Sequence, residues 1–75
     1  MCLNELGIGN MCKVKKINAN GEIAQKLLDM GFVPGTRLKI VRSAPLGDPI
    51  KIKIREYIIC IRLNEAKLIE IKEMD

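Results

Sequence analysis

A chain of 75 residues with 48% hydrophobic content has room for one small core, and that composition excludes a disordered polymer. It contains no histidine, the most common metal ligand and general base, and its three cysteines show neither an even count nor a CxxC spacing, which argues against a disulfide framework or a zinc motif. The net charge of +4 suits an acidic protein surface, an anionic membrane or nucleic acid without choosing among them.

In chain order, residues 3–7 read as a single turn that Asn4 can cap and Gly7 can stop. Residues 11–17 read as a strand. Its apolar positions Val14 and Ile17 are out of phase, which predicts a β-bulge near Lys15 and Lys16. Residues 22–30 form the one helix with a clear period. Ile23, Leu27 and Met30 recur at i, i+4 and i+7, with Ala24 and Leu28 widening a stripe that is expected to be core. Gly31 stands where a left-handed residue ends a helix, and Val33-Pro34-Gly35-Thr36 has the residues of a type II turn.

A second strand over 37–42 turns Leu38 and Ile40 to one face and Arg37, Lys39 and Val41 to the other. The segment Ala44-Pro45-Leu46-Gly47-Asp48-Pro49 is dense in turn formers. Residues 50–55 alternate isoleucine with Lys51, Lys53 and Arg55, the pattern of a strand with one buried and one wet, basic face. Glu56-Tyr57 is expected to close a tight hairpin. Residues 58–63 then return with Ile59, Ile61 and Leu63 inward, a turn follows over 64–67, and residues 68–72 form the last strand. About five short strands and one helix predict a mainly β fold of a single domain over 1–75, a small SH3-like β-barrel, closed or half-closed so that its edges are hidden. No apolar run reaches the ~20 residues of a membrane helix, and the first residues lack the pattern of a secretion signal, so a cytoplasmic location is expected.

The ordered set of these residues resembles the FeoA family, ferrous iron transport protein A. Leu3, Leu6 and Gly9 fit its Leu-x-x-Leu-x-x-Gly opening, and Val14 and Ile17 its first strand. Leu27 with Met30-Gly31 and then Pro34-Gly35 fit the helix end and the following turn. The 44–49 segment before an alternating strand, then Arg62-Leu63 and Glu65-Ala66, complete the pattern. The resemblance implies an SH3-like domain, also found at the C-terminus of diphtheria toxin repressor-type metalloregulators. It implies a cytoplasmic accessory of FeoB, a membrane Fe(II) transporter with a GTP-binding domain. One departure is Glu56, where the family usually has glycine before the fourth strand. A positive φ is costly for glutamate, so a local change of turn type is expected there.

Candidate partner-binding residues follow from exposure and shape. Pro45, Leu46, Gly47 and Asp48 belong to a rigid loop that is either a turn alone or a presented edge. Lys51, Lys53 and Arg55 form a basic strand face that is either solvated or set against an acidic surface. Leu28 and Phe32 are expected beside the helix stripe at the surface, along a groove between the helix and an adjoining loop. Arg55 is the one arginine placed to reach into a GTPase site, since Arg37, Arg42 and Arg62 fall in or at the ends of strands. Nucleic-acid binding is not expected, with Phe32 and Tyr57 the only aromatic side chains available for stacking. No histidine or nucleophile motif suggests an enzyme. No cofactor is expected to be required. Cys12 and Cys60 could be neighbours in a barrel, but two thiols make a poor metal site, which leaves weak divalent-cation binding. The rival reading is a metalloregulator-type SH3-like domain that senses Fe(II), Mn(II) or Zn(II).

Overall fold

The computed structural model describes residues 1–43 and 47–74, so the candidates Pro45 and Leu46 lie outside the described residues. A 3-10 turn at Leu3–Glu5 precedes β1 (Met11–Ile17), α1 (Gly21–Asp29), β2 (Arg37–Ser43), β3 (Ile50–Ile54), β4 (Tyr57–Ile61), α2 (Leu63–Ala66) and β5 (Ile69–Met74). The five strands form one antiparallel sheet in the order β4-β3-β2-β1-β5. β4 and β5 are the ends of that ladder, so the expected SH3-like barrel, closed or half-closed, is an SH3-like sheet left open between those two strands. The β5 edge is covered by the start of the chain: Cys2 bridges Glu70, and the Ile71 N–H donates to the Met1 carbonyl at 2.8 Å. Among the described residues no helix is long and apolar enough to cross a membrane.

Alternation dictates the core. Cys12 and Val14, Leu38 and Ile40, Ile50, Ile52 and Ile54, then Ile69 and Ile71 all face inward and are buried. The bulge expected in β1 is present as a register shift between Val14 and Lys16, which returns Ile17 to the inner side. A second shift, between Ile40 and Arg42, does the same for β2. Bulges increase local twist, and twist lets a sheet of short strands wrap one core. The first turn is capped by Cys2 rather than Asn4. Its N–H donates to the Glu5 carboxylate at 2.8 Å, because a glutamate three residues on reaches back to the free amide.

The helix stripe needs two corrections. Ile23 is 54% exposed, while Leu27 is fully buried and Met30 half-buried, so the apolar stripe leaves the core in the first turn of α1. Phe32, expected at the surface, is fully buried. The reason lies in how α1 ends. The Phe32 N–H donates to the Leu27 carbonyl and the Gly31 N–H to the Leu28 carbonyl, with Gly31 at φ +110°. That Schellman turn reverses the chain and packs the residue after the glycine against the last inward residue of the helix. The type II turn then follows as expected, with the Thr36 N–H on the Val33 carbonyl and Gly35 at φ +95°. Lys26 Nζ meets the Glu65 carboxylate at 2.7 Å and ties α1 to α2.

The β3–β4 hairpin turns on Arg55-Glu56, one residue earlier than expected, with Ile54 paired to Tyr57. The change of turn type expected from Glu56 takes a specific form: the positive φ, +55°, falls on Arg55 and not on Glu56. A left-handed conformation costs a residue with a Cβ roughly 1–2 kcal/mol relative to glycine. Replacing Arg55 by Gly is therefore expected to raise stability by about 1 kcal/mol, read as a higher urea midpoint at unchanged slope. A lower midpoint would show that the arginine side chain holds the hairpin.

Candidate functional site

The end of α1, the type II turn and the β3–β4 hairpin leave an apolar groove of about 590 Å³ between them. Its walls are Leu28, Met30 and Gly31 on the helix side and Ile54, Tyr57 and Ile59 on the hairpin side, with Val33 at one end and Asp29 and Arg55 as charged groups. The Schellman turn builds it. By burying Phe32 it turns Leu28 and Val33 outward, on either side of Gly31. The hairpin contributes Tyr57 and Ile58, which are 69% and 57% exposed on an edge strand with no further strand beside it among the described residues. Apolar side chains gathered in a concavity beside an open strand edge can bury a partner's side chains and offer its backbone hydrogen bonds. A second, wider depression of about 730 Å³ lies on the outer face of the sheet, from Met11 past Arg37, Lys39 and Lys53 to Arg55. Val33 and Arg55 line both, so the two surfaces meet along that edge.

The predicted residues separate on this frame. Leu28 lines the groove and Arg55 stands at its rim, whereas Phe32 belongs to the core beneath. Lys53 is exposed and Lys51 half-buried on the outer sheet face. Gly47 is half-buried with φ +84°. Asp48 is exposed, but its Oδ1 accepts the Leu63 N–H at 2.8 Å, satisfying a free amide at the start of α2, so this carboxylate has structural work. Val33, Tyr57 and Ile58 were missed as site residues. The one available signal was Ile58, an isoleucine on the outward phase of its strand.

The cysteines are not brought together. Cys12 points into the core from β1, and Cys60 points outward from β4, with two strands between them in the sheet. Among the described residues no three Cys, Asp or Glu side chains converge as a metal-ligand set. Burial, reinforced by the charge of Glu73, pushes the Cys12 thiol up from an ordinary 9.0 to about 11. Two results are expected. A thiol reagent should label Cys60 rapidly in the native protein and Cys12 only after unfolding. Because the unfolded chain loses the Cys12 proton at lower pH than the fold does, stability should be intact below pH 9.0 and fall as pH rises to about 11. Cys12→Ala should flatten that slope in a comparison of urea midpoints. An unchanged slope would place the effect elsewhere.

The profile of the FeoA domain family matches residues 1–73. A fusion protein of Porphyromonas gingivalis, "Fe(2+) transport protein A/Fe(2+) transporter FeoB", is 33% identical over 72 residues. The match takes in 96% of this chain and only 8% of that protein. The solution structure of iron(II) transport protein A from Clostridium thermocellum superposes with a TM-score of 0.93 at 45% identity, over 97% of this chain and 45% of that one. The crystal structure of Stenotrophomonas maltophilia FeoA, described as a prokaryotic SH3 domain protein complexed with zinc, gives a TM-score of 0.83 at 29% identity over 96% of this chain and 89% of that one. T. acidophilum IdeR, at 19% identity and a TM-score of 0.85, shares the fold alone.

Proposed function

Because this chain belongs to the FeoA domain family, which is associated with ferrous iron transport, we propose that it is a small accessory of a FeoB-type Fe(II) transporter. It acts by binding the transporter's cytoplasmic GTP-binding part through the apolar groove between α1 and the β3–β4 hairpin. The observation that carries the reading is the Porphyromonas fusion, in which a segment similar to this whole domain and the transporter share one chain. A covalent tether raises the effective concentration of a domain at its partner to about the millimolar range. A separate domain must reach the same occupancy through its own surface, and the groove, walled by Leu28, Met30, Val33, Ile54, Tyr57 and Ile59, is an apolar concavity suited to that.

The groove offers no chemistry beyond recognition, so regulation would come from differential affinity. A docked domain shifts the transporter toward whichever nucleotide state it binds better, and by no more than that difference. Arg55, at the groove's rim on a turn, is the residue best placed to approach bound nucleotide. The domain works on the cytoplasmic side with the iron as the transporter's cargo, and it needs no resident metal. Any divalent cation binding is weak and confined to scattered surface carboxylates.

Calorimetric titration of this chain into the cytoplasmic GTP-binding domain, apo and with GDP or a non-hydrolysable GTP analogue, tests the proposal. The expected result is saturable binding that differs at least several-fold between nucleotide states. No binding in any state, to the isolated domain or to the full transporter in detergent, would reject it. A stoichiometric, tight site for Fe(II), Mn(II) or Zn(II) on this chain alone would favour the sensing role instead.

A further inference from the structure

The outer face of the sheet carries an arrangement of charge that the fold does not require. Register places Lys72, Lys13 and Arg37 side by side across β5, β1 and β2. The adjoining row runs Met74, Met11, Lys39, Lys53 and Ile58 across all five strands. Lys13 therefore stands directly opposite both Arg37 and Lys72, Lys39 opposite Lys53, and Arg42 opposite Lys51. Like charges in directly opposed positions of an antiparallel sheet destabilise it. None of these cations is in an ion pair among the described residues, where the acceptors that are engaged, Glu65 and Glu70, hold Lys26, Lys15 and Lys16 instead. No carboxylate interrupts either row.

We propose that this face rests on an anionic lipid surface, with Lys13, Arg37, Lys39, Lys53 and Lys72 against the headgroups. The cations are mostly lysines, point charges on flexible stems, spread over two rows and not converging on one spot. That suits a fluid array of phosphates better than a single bound phosphate, which would ask for convergent and partly buried donors. The same row places exposed Met11 and Ile58 on either side of the lysines. A bilayer interface takes up such side chains at headgroup depth beside basic ones, whereas an acidic protein patch would leave them against charge. The basic face and the apolar groove meet along Val33, Arg55 and Ile58, while Leu28, Met30, Tyr57 and Ile59 lie on the groove's own side, so the domain can lie on the membrane with that part of the groove still open sideways.

The proposal is independent of the docking reading, because its test contains no other protein. The full chain is sedimented with vesicles of one-third phosphatidylglycerol in phosphatidylcholine, and with phosphatidylcholine alone. Binding is expected to the anionic vesicles only and to vanish in about 1 M salt, where the screening length is about 3 Å. Each cation near the surface is worth about fivefold in partitioning, so the double variant Lys13→Glu with Lys39→Glu should lose at least about 25-fold. The same variant places opposite charges across the sheet and should melt higher than the parent, which separates lost binding from lost folding. Equal binding to neutral vesicles, no binding to anionic ones, or full retention by the double variant would overturn the proposal. So would tighter binding to polyglutamate than to vesicles at equal anionic charge, which would assign the face to an acidic protein.

Discussion

Phe32→Ala is expected to cost about 3–5 kcal/mol of folding free energy, the range for removing a buried aromatic side chain from a core. For a chain of 75 residues that is a large share of the whole. Domains of this size are held together by roughly 4–11 kcal/mol at typical per-residue stabilities. The melting temperature should fall by about 15–30 °C, since each kcal/mol moves a domain of 60–100 residues by several degrees. Phe32 is fully buried and lies directly across the Schellman turn from Leu27, also fully buried. Truncating it removes the contact that fixes where α1 ends and therefore where the groove begins. A surface residue in the same place would cost less than about 0.5 kcal/mol. Urea denaturation thus decides between the core position seen in the structure and the surface position that the sequence pattern suggested.

The second large effect is on binding and should leave stability almost untouched. Leu28→Glu combined with Tyr57→Ala is expected to weaken association with the transporter's GTP-binding domain by more than about 100-fold, as the loss of a central aromatic anchor and the burial of a charge both act against docking. Leu28 and Tyr57 are 36% and 69% exposed in the free chain, so the melting temperature should move by only a few degrees. The pair of results is what identifies a recognition surface. Lost binding with a large fall in melting temperature would be a folding defect, and retained binding would move the contact off the groove.

What was legible in the sequence, and what was not, follows from the physics of each element. Period-2 alternation located β2, β3 and β5 with nearly their observed bounds, because one buried face forces it. The bulge in β1 was visible as a phase slip between Val14 and Ile17. Gly31 and Gly35 announced their turns, since their positive φ admits little else. The failures share one cause: each depends on how elements meet in three dimensions. Ile23 and Phe32 exchanged core and surface roles because a helical stripe does not say how far along it the core extends. The start of the chain covers the β5 edge through backbone hydrogen bonds, which leave no side-chain pattern to read. The hairpin displaced its positive φ to Arg55 through a one-residue difference in pairing. The groove was anticipated as lying between the helix and a loop. Its walls came largely from the β3–β4 hairpin, whose proximity to α1 is a tertiary fact. The clustering of cations likewise appears only once register places Lys13, Lys39 and Lys53 near one another across three strands.

The claim that partner recognition resides in one groove is tested most directly by amide chemical shifts. The ¹⁵N-labelled chain is titrated with the transporter's unlabelled GTP-binding domain in its preferred nucleotide state. The largest changes should fall on residues 28–33 and 54–59, with Cys2 and the β1–β5 ladder unmoved. Changes centred on that far edge, or none at saturating partner, would contradict the account.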